Sequence, residues 1–161
     1  MLVVSNSSVL INLAIIGPLE ILKRKFSEIM VPRAVWQEVV VEGMGKPGAK
    51  EVDESAWIKV KDINEKLLVT SLSQHLDDGE SEAIALALEI GANLVLLDER
   101  DARETAEAFG LELLGTIGIL IWAKKEGLIP NLKAKLDRLM NIAKFWVSRE
   151  LYKRVLAEAG E

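Results

Sequence analysis

The chain has 161 residues, half of them hydrophobic, and a net charge of −5. That size and composition exclude a disordered chain and fit one domain with a substantial core. The lack of cysteine excludes disulfides, thiol catalysis and thiolate metal sites, and a lone histidine, His75, argues against a zinc site or catalytic triad. A general nucleic-acid coat would be basic, so any RNA or DNA contact must use local patches. The absence of cysteine fits a cytoplasmic protein. Leu2–Val4 is too short for a signal peptide, and no apolar run reaches transmembrane length.

Leu2-Val3-Val4 reads as a short buried strand. Ser5-Asn6-Ser7-Ser8 leads from it into an apolar helix, Val9–Ile16, as in the opening of an α/β unit. Asn6 therefore stands at a strand's carboxyl end, and helix capping is its plain structural role. Ser5 and Ser7 offer hydroxyl contacts there or are caps themselves. Gly17-Pro18 separates this helix from a second, Leu19–Phe26. Glu28–Val31 reads as a strand, and Pro32 opens a helix over Arg33–Glu42 that carries Glu38. Glu38 has no separate polar stripe, so its plain reading is a solvated glutamate. Glu42–Gly48 is turn-rich and is the candidate flap. A short helix over Ala49–Ser55 and an edge strand over Trp57–Val60 follow, then a brief helix near Asn64–Leu68. His75 reads as a local structural residue.

The stretch Leu76–Arg103, LDDGESEAIALALEIGANLVLLDERDAR, organises the rest. Asp77 is the expected N-cap, with Glu80 as its capping-box partner. The helix is apolar almost all round and its alanines allow close approach to a sheet. Gly91 ends it. Leu94–Leu97 is a continuous apolar run, the pattern of a parallel strand covered on both faces. Asp98 lies just past its carboxyl end, the edge where open α/β sheets bind ligands. A helix over Asp101–Phe109, a short strand over Leu111–Leu114, a helix capped by Thr116 and running to Lys125, and helices over Asn131–Ala143 and Ser148–Ala159 complete the chain. The expectation is a single domain over residues 1–161, with an α/β core over 1–115 and a helical part over 116–161.

Carboxylates gathered at one sheet edge repel each other unless a cation compensates. Hard oxygen ligands suit Mg2+ or Mn2+, which can activate water for phosphodiester hydrolysis. Glu38, Glu82, Asp98, Asp101 and polar Asn6 are the candidates, and only the fold can bring them together. The plain alternative is scattered surface acids.

The segments VVSNSSVLINLA, VPRAVWQEVV, GKPGAKEV, the central stretch above and GTIGILIWAKKEGLIP together resemble the PIN-domain superfamily, over nearly the whole chain. The resemblance implies a three-layer α/β/α fold with a central parallel sheet plus C-terminal helices. It implies an Mg2+- or Mn2+-dependent ribonuclease, in a family that includes toxins paired with protein antitoxins. By motif match, Glu38, Glu82 and Asp98 take the metal positions, with Asp101 as an additional acid and Glu80 as another or only a cap. The family's first acid follows the first strand; here that residue is Asn6. An amide oxygen can ligate a cation without adding charge. A weakened nuclease, one compensated by neighbouring acids, and a non-catalytic nucleic-acid- or protein-binding module all remain open on this reading. A nucleotide binder lacks its glycine-rich motif, and a phosphoacceptor domain lacks an acid at Asn6.

Candidate phosphate contacts are Lys23, Arg24, Lys25, Arg33, Lys46, Arg100, Arg103, Lys124 and Lys125. Trp36, Trp57, Trp122 and Trp146 sit among apolar residues, which points to core or interface packing. The apolar C-terminal helices, with Trp122, Phe145 and Trp146, offer a face for a homodimer.

Overall fold

The computed structural model describes residues 1–161. Its strands are β1 (Val3–Ser5), β2 (Ile29–Pro32), β3 (Ile58–Lys61), β4 (Leu94–Leu96) and β5 (Leu113–Leu114). All pair in parallel, in the order β3-β2-β1-β4-β5. The helices are α1 (Ser7–Ile16), α2 (Glu20–Phe26), α3 (Arg33–Trp36), α4 (Ala49–Asp53), α5 (Lys66–Leu72), α6 (Asp78–Ile90), α7 (Arg100–Ala108), α8 (Thr116–Lys125), α9 (Leu132–Asn141) and α10 (Arg149–Glu158). A π-helical turn, Gln37–Val41, continues α3.

The inner strands β1, β2 and β4 are largely apolar because helices cover both faces, whereas edge strand β3 alternates Ile58 and Val60 with exposed Lys59 and Lys61. Along β1, Val3 packs into one core and Val4 into the other. Along β4 and its extension, Leu96 joins the first core, and Val95 and Leu97 join the second. The first core takes α1, α2, α3, α8 and α9, through residues such as Leu10, Leu22, Val35, Leu120 and Leu136. The second takes α6 and α7, where Ala83, Ala85, Ala87, Ala102 and Ala106 let the helices lie close to the sheet and each other. The result is the three-layer α/β/α arrangement with a parallel central sheet. The C-terminal helices α8 and α9 share the first core with α1 rather than forming one of their own.

Most element boundaries follow the sequence to within a few residues. Asp77 and Glu80 form the capping box of α6, Gly91 ends it in the left-handed region, and Ser148 caps α10 through the Leu151 N–H. The helix expected over Arg33–Glu42 differs: its second half is π-helical, with the Glu42 N–H donating to the Gln37 carbonyl at 2.8 Å. Gly43 follows the wide turn because a Cβ there would lie 2.3 Å from the Val39 carbonyl oxygen. Thr116 also differs. Gly115 holds the N-cap position of α8, and the Thr116 side chain turns to Asp98 instead.

Strand order fixes where a ligand would lie. From β1 the chain builds outward through β2 and β3, then crosses to β4 on β1's other side. The carboxyl ends of β1 and β4 therefore flank a topological switch point. Ser5 stands opposite Leu96, and the Asn6 N–H donates to the Leu96 carbonyl at 3.0 Å.

Leu136→Ala should cost about 2–5 kcal/mol, since Leu136 is fully buried against α1's side of the core. Denaturant unfolding of the variant, followed by both fluorescence and circular dichroism, should stay one transition. Two separated transitions would mean that α8–α10 fold apart from the sheet.

Candidate functional site

A cavity of about 480 Å³ opens at that switch point. Its walls come from the start of α1 (Asn6, Ser7, Ser8, Ile11, Asn12), from Glu38, from the entry to α6 (His75, Leu76, Asp77, Glu80) and from the start of α7 (Glu99, Arg100, Asp101). Five carboxylates thus face one arginine. Arg100 is itself paired with Glu104 at 3.0 Å.

Asn6 occupies the N-cap position of α1, in extended backbone at φ −83° and ψ 172°, yet its side chain makes no capping hydrogen bond. Asn, Asp and Ser at this position ordinarily accept from the helix's first N–H groups. Here the Asn6 Oδ1 lies 3.1 Å from where a Cβ of Gly79 would stand, and the Glu38 Oε2 lies equally close to the same point. Glycine at position 79 is what lets the amide and the carboxylate converge over α6. The Ser7 hydroxyl donates to Glu38 Oε2 at 2.7 Å. The π-helical turn thus carries a glutamate into contact with α1, a common use of such turns at functional sites. Ser8 lines the same cavity with a buried hydroxyl that has no hydrogen-bond partner.

Glu80 is 7% exposed. Its Oε1 accepts from the Asp77 N–H at 3.1 Å, and Asp77 Oδ1 accepts from the Glu80 N–H at 2.7 Å. Burial pushes its carboxyl up to about 7; the Asp77 N–H opposes the shift, while the charges of Asp77 and Glu99 add to it.

The structure does not bring Glu82 to this cavity. Its Oε1 accepts from the Ala34 N–H at 3.1 Å, at the start of α3, and it lines a separate cavity with Arg33 and Asp62. The reason is helical periodicity. Two residues apart is about 200° of rotation, so Glu80 and Glu82 cannot share a face, and the capping box selects Glu80. Asp98 stands at the right sheet edge but points beside the cavity. Its oxygens accept from the Thr116 N–H at 2.7 Å, the Thr116 hydroxyl at 2.7 Å and Asn12 Nδ2 at 3.1 Å. Asn12 lines the acid cavity, so Asp98 adjoins it through one hydrogen bond. Asp101 lines the cavity directly. No three of the acidic or histidine side chains stand together as a ready metal cage.

Asn12 and Glu99 are absent from the residues expected on sequence. A lone Asn in the apolar run Val9–Ile16 is the available signal for Asn12; nothing local marks Glu99. Of the expected phosphate contacts, Arg100 alone lines the acid cavity. Arg33 pairs with Asp62, Lys25 lies 4.1 Å over the Trp122 ring, and Lys124 binds the Pro130 carbonyl and Glu161.

Apart from His75 and Arg100, the polar side chains lining it are amide, carboxylate and hydroxyl groups, with a negative surplus. That set fits a hard divalent cation which keeps most of its water and is held by one or two carboxylates, as Mg2+ commonly is. A parallel α/β/α protein with an acidic, oxygen-lined mouth at its switch point is the class these features define. The sequence model of the PIN domain matches residues 2–161, so the chain belongs to the PIN-domain family. No curated protein matches it. Family membership makes nuclease chemistry and nucleic-acid binding the first functions to weigh. No helix is long and apolar enough to cross a membrane.

The raised Glu80 carboxyl has a consequence for stability. A carboxyl whose folded value, about 7, exceeds its ordinary 4.5 binds its proton more tightly in the folded state. That contribution is present at low pH and is lost as pH rises through 7. Glu80→Gln keeps an oxygen for the Asp77 N–H and removes the buried charge. Its melting temperature should exceed the natural protein's by on the order of a few degrees at pH 8 and by much less at pH 5. A gap that does not change with pH would contradict the burial argument.

Proposed function

We propose that this PIN domain is an Mg2+- or Mn2+-dependent endoribonuclease acting at the acid cavity. The observation that carries the reading is the convergence of Asn6 Oδ1 and Glu38 Oε2 over Gly79, at a mouth lined by Glu80, Glu99 and Asp101. Asn6, Glu38, Glu80 and Asp101 are the residues to hold the cation. When bound, the ion supplies positive charge to the scissile phosphodiester and acidifies the attacking water.

The chain's own groups have distinct parts in this scheme. The Ser7 hydroxyl fixes the Glu38 carboxylate, leaving its second oxygen free for water or ion. Burial raises the Glu80 carboxyl to about 7, so binding the cation there would require displacing a proton at or below neutral pH. Arg100, at the start of α7, is the cation nearest the cavity for a phosphate oxygen. Asp98 holds Asn12 and the first turn of α8, so it positions the wall of the acid cavity rather than holding the cation.

Glu38→Gln should abolish Mn2+-dependent cleavage of RNA, and should also remove the rise in melting temperature that Mn2+ gives the natural protein. Asp98→Asn should lower activity by about 10- to 100-fold, the usual cost of disturbing a group behind the ligands. Unchanged cleavage in Glu38→Gln would place the chemistry elsewhere.

One observation favours a second reading, a binding module that does not cut: the residue after β1 is an amide, and no three acids form a cage. Asn6→Asp separates the two. An added carboxylate a few ångströms from a divalent ion should tighten Mn2+ binding by about tenfold or more. If the natural protein cuts no RNA and Asn6→Asp does, the natural chain is the binding module. If Asn6→Asp binds Mn2+ no better than the natural protein, position 6 lies outside the site.

A further inference from the structure

Another cavity, of about 400 Å³, is linked to the acid cavity through the Asn12–Asp98 hydrogen bond and differs in character. Its walls include Asp98, Arg103, Leu114, Phe145 and Trp146. Trp146 is 82% exposed, so of the core or interface packing expected of the four tryptophans it does not take the core; Trp57 is buried, and Trp36 and Trp122 pack against the main core. Leaving an indole in water forgoes a large burial gain. The surrounding chain nevertheless fixes it there. Val147 is buried, Ser148 caps α10, and Lys144 adopts the left-handed region at φ 58°, which a lysine enters at some cost.

The wall itself carries one acid, Asp98, and one base, Arg103, and the exposed charges beside it in sequence are Lys144, Arg149 and Glu150, two positive and one negative, where the acid cavity sets five carboxylates against one arginine. Lys144 and Arg149 flank the indole in sequence and are exposed, and Arg103 lines the cavity with its Nη1 donating to the Leu97 carbonyl at 2.7 Å. Asp98 joins the two cavities: it forms part of this wall and accepts from Asn12, which forms part of the other.

We propose that Trp146 and this cavity form a nucleobase subsite, which holds one unpaired base of an RNA strand whose phosphodiester lies at the acid cavity. The inference rests on the RNA reading above and adds where the strand runs and which form of RNA it takes. A nucleotide satisfies both halves of the surface, its ring stacking on the indole and its phosphate pairing with the flanking cations. An apolar helix would meet the indole but would leave those cations without an anion. Stacking on a side chain needs a base free of its neighbours, so the subsite selects single-stranded RNA over duplex. It tolerates many sequences, because every base has a flat face.

The test is binding of a fluorescein-labelled oligouridylate in EDTA, read by anisotropy, with cleavage in Mn2+ measured separately. Trp146→Ala should weaken binding about tenfold or more, Trp146→Phe should keep most of it, and duplex RNA of equal length should bind the natural protein less tightly. The paired change Lys144→Gln and Arg149→Gln should flatten the salt dependence by about 0.7 for each phosphate no longer neutralised. Equal binding by the natural protein and Trp146→Ala overturns the subsite, as does absence of binding by the natural protein. If light scattering shows Trp146→Ala turning a dimer into a monomer with RNA affinity unchanged, the patch is an interface between copies and the subsite is also overturned. Trp146-dependent binding without cleavage leaves the subsite standing and removes only the nuclease reading. Cleavage indifferent to Trp146 does the reverse.

Discussion

Pairing β1 directly with β4 places two strand ends side by side and lets three helix entries converge above them. The carboxylates come from two of those entries, Asp77 and Glu80 at α6 and Glu99 and Asp101 at α7, and from Glu38 on the π-helical turn after α3. Like charges at such a mouth raise one another's cost of ionisation. The fold answers only in part. Ser7 hydrogen-bonds Glu38, Arg100 offers one positive charge, and Glu80 holds its proton up to about neutral pH. A divalent ion would relieve the remainder, and would pull Glu80 toward its ionised form as it did so. A proton and such an ion would compete for the same group, a link that follows chiefly from the burial of Glu80.

The parallel sheet was legible because its signals are local. Val-Val and Leu-Val-Leu-Leu runs bounded by helix caps fit strands covered twice, and the Asp77–Glu80 box announces the start of α6. The site was legible only to the level of its sheet edge. Glu80 and Glu82 both stand near the opening of α6, and choosing between them needs the helix phase, which α3 helps set by taking Glu82 as an acceptor for Ala34. Asp98's partners, Asn12 and Thr116, lie 86 and 18 residues away. The π-helical turn that delivers Glu38 has no signature in Gln-Glu-Val-Val-Val, since the wide turn is held by tertiary packing of Val39 and by Gly43 behind it.

Trp146 illustrates a different limit. Its neighbours Phe145 and Val147 are apolar, so composition assigns it to a core. Alternation decides otherwise: with Val147 buried and Phe145 half-buried, the intervening side chain is turned out to solvent. No hydropathy window resolves a single residue in a loop between two helices. The positive φ at Lys144, invisible in sequence, is part of what turns the chain there.

Asn6 is the residue on which the proposed chemistry turns, and its geometry separates charge from shape. The amide keeps an oxygen at the position where it meets Glu38, so the outline of the site survives the absence of an acid. What the amide lacks is one negative charge, and what it adds is an Nδ2 donor able to bind a carboxylate or phosphate oxygen directly. On the proposed reading the donor would help grip an anionic ligand, and the missing charge would weaken hold on a divalent ion. Glu80, Glu99 and Asp101 supply charge on the opposite wall, so the deficit at position 6 redistributes the site's negative potential toward α6 and α7 without emptying it.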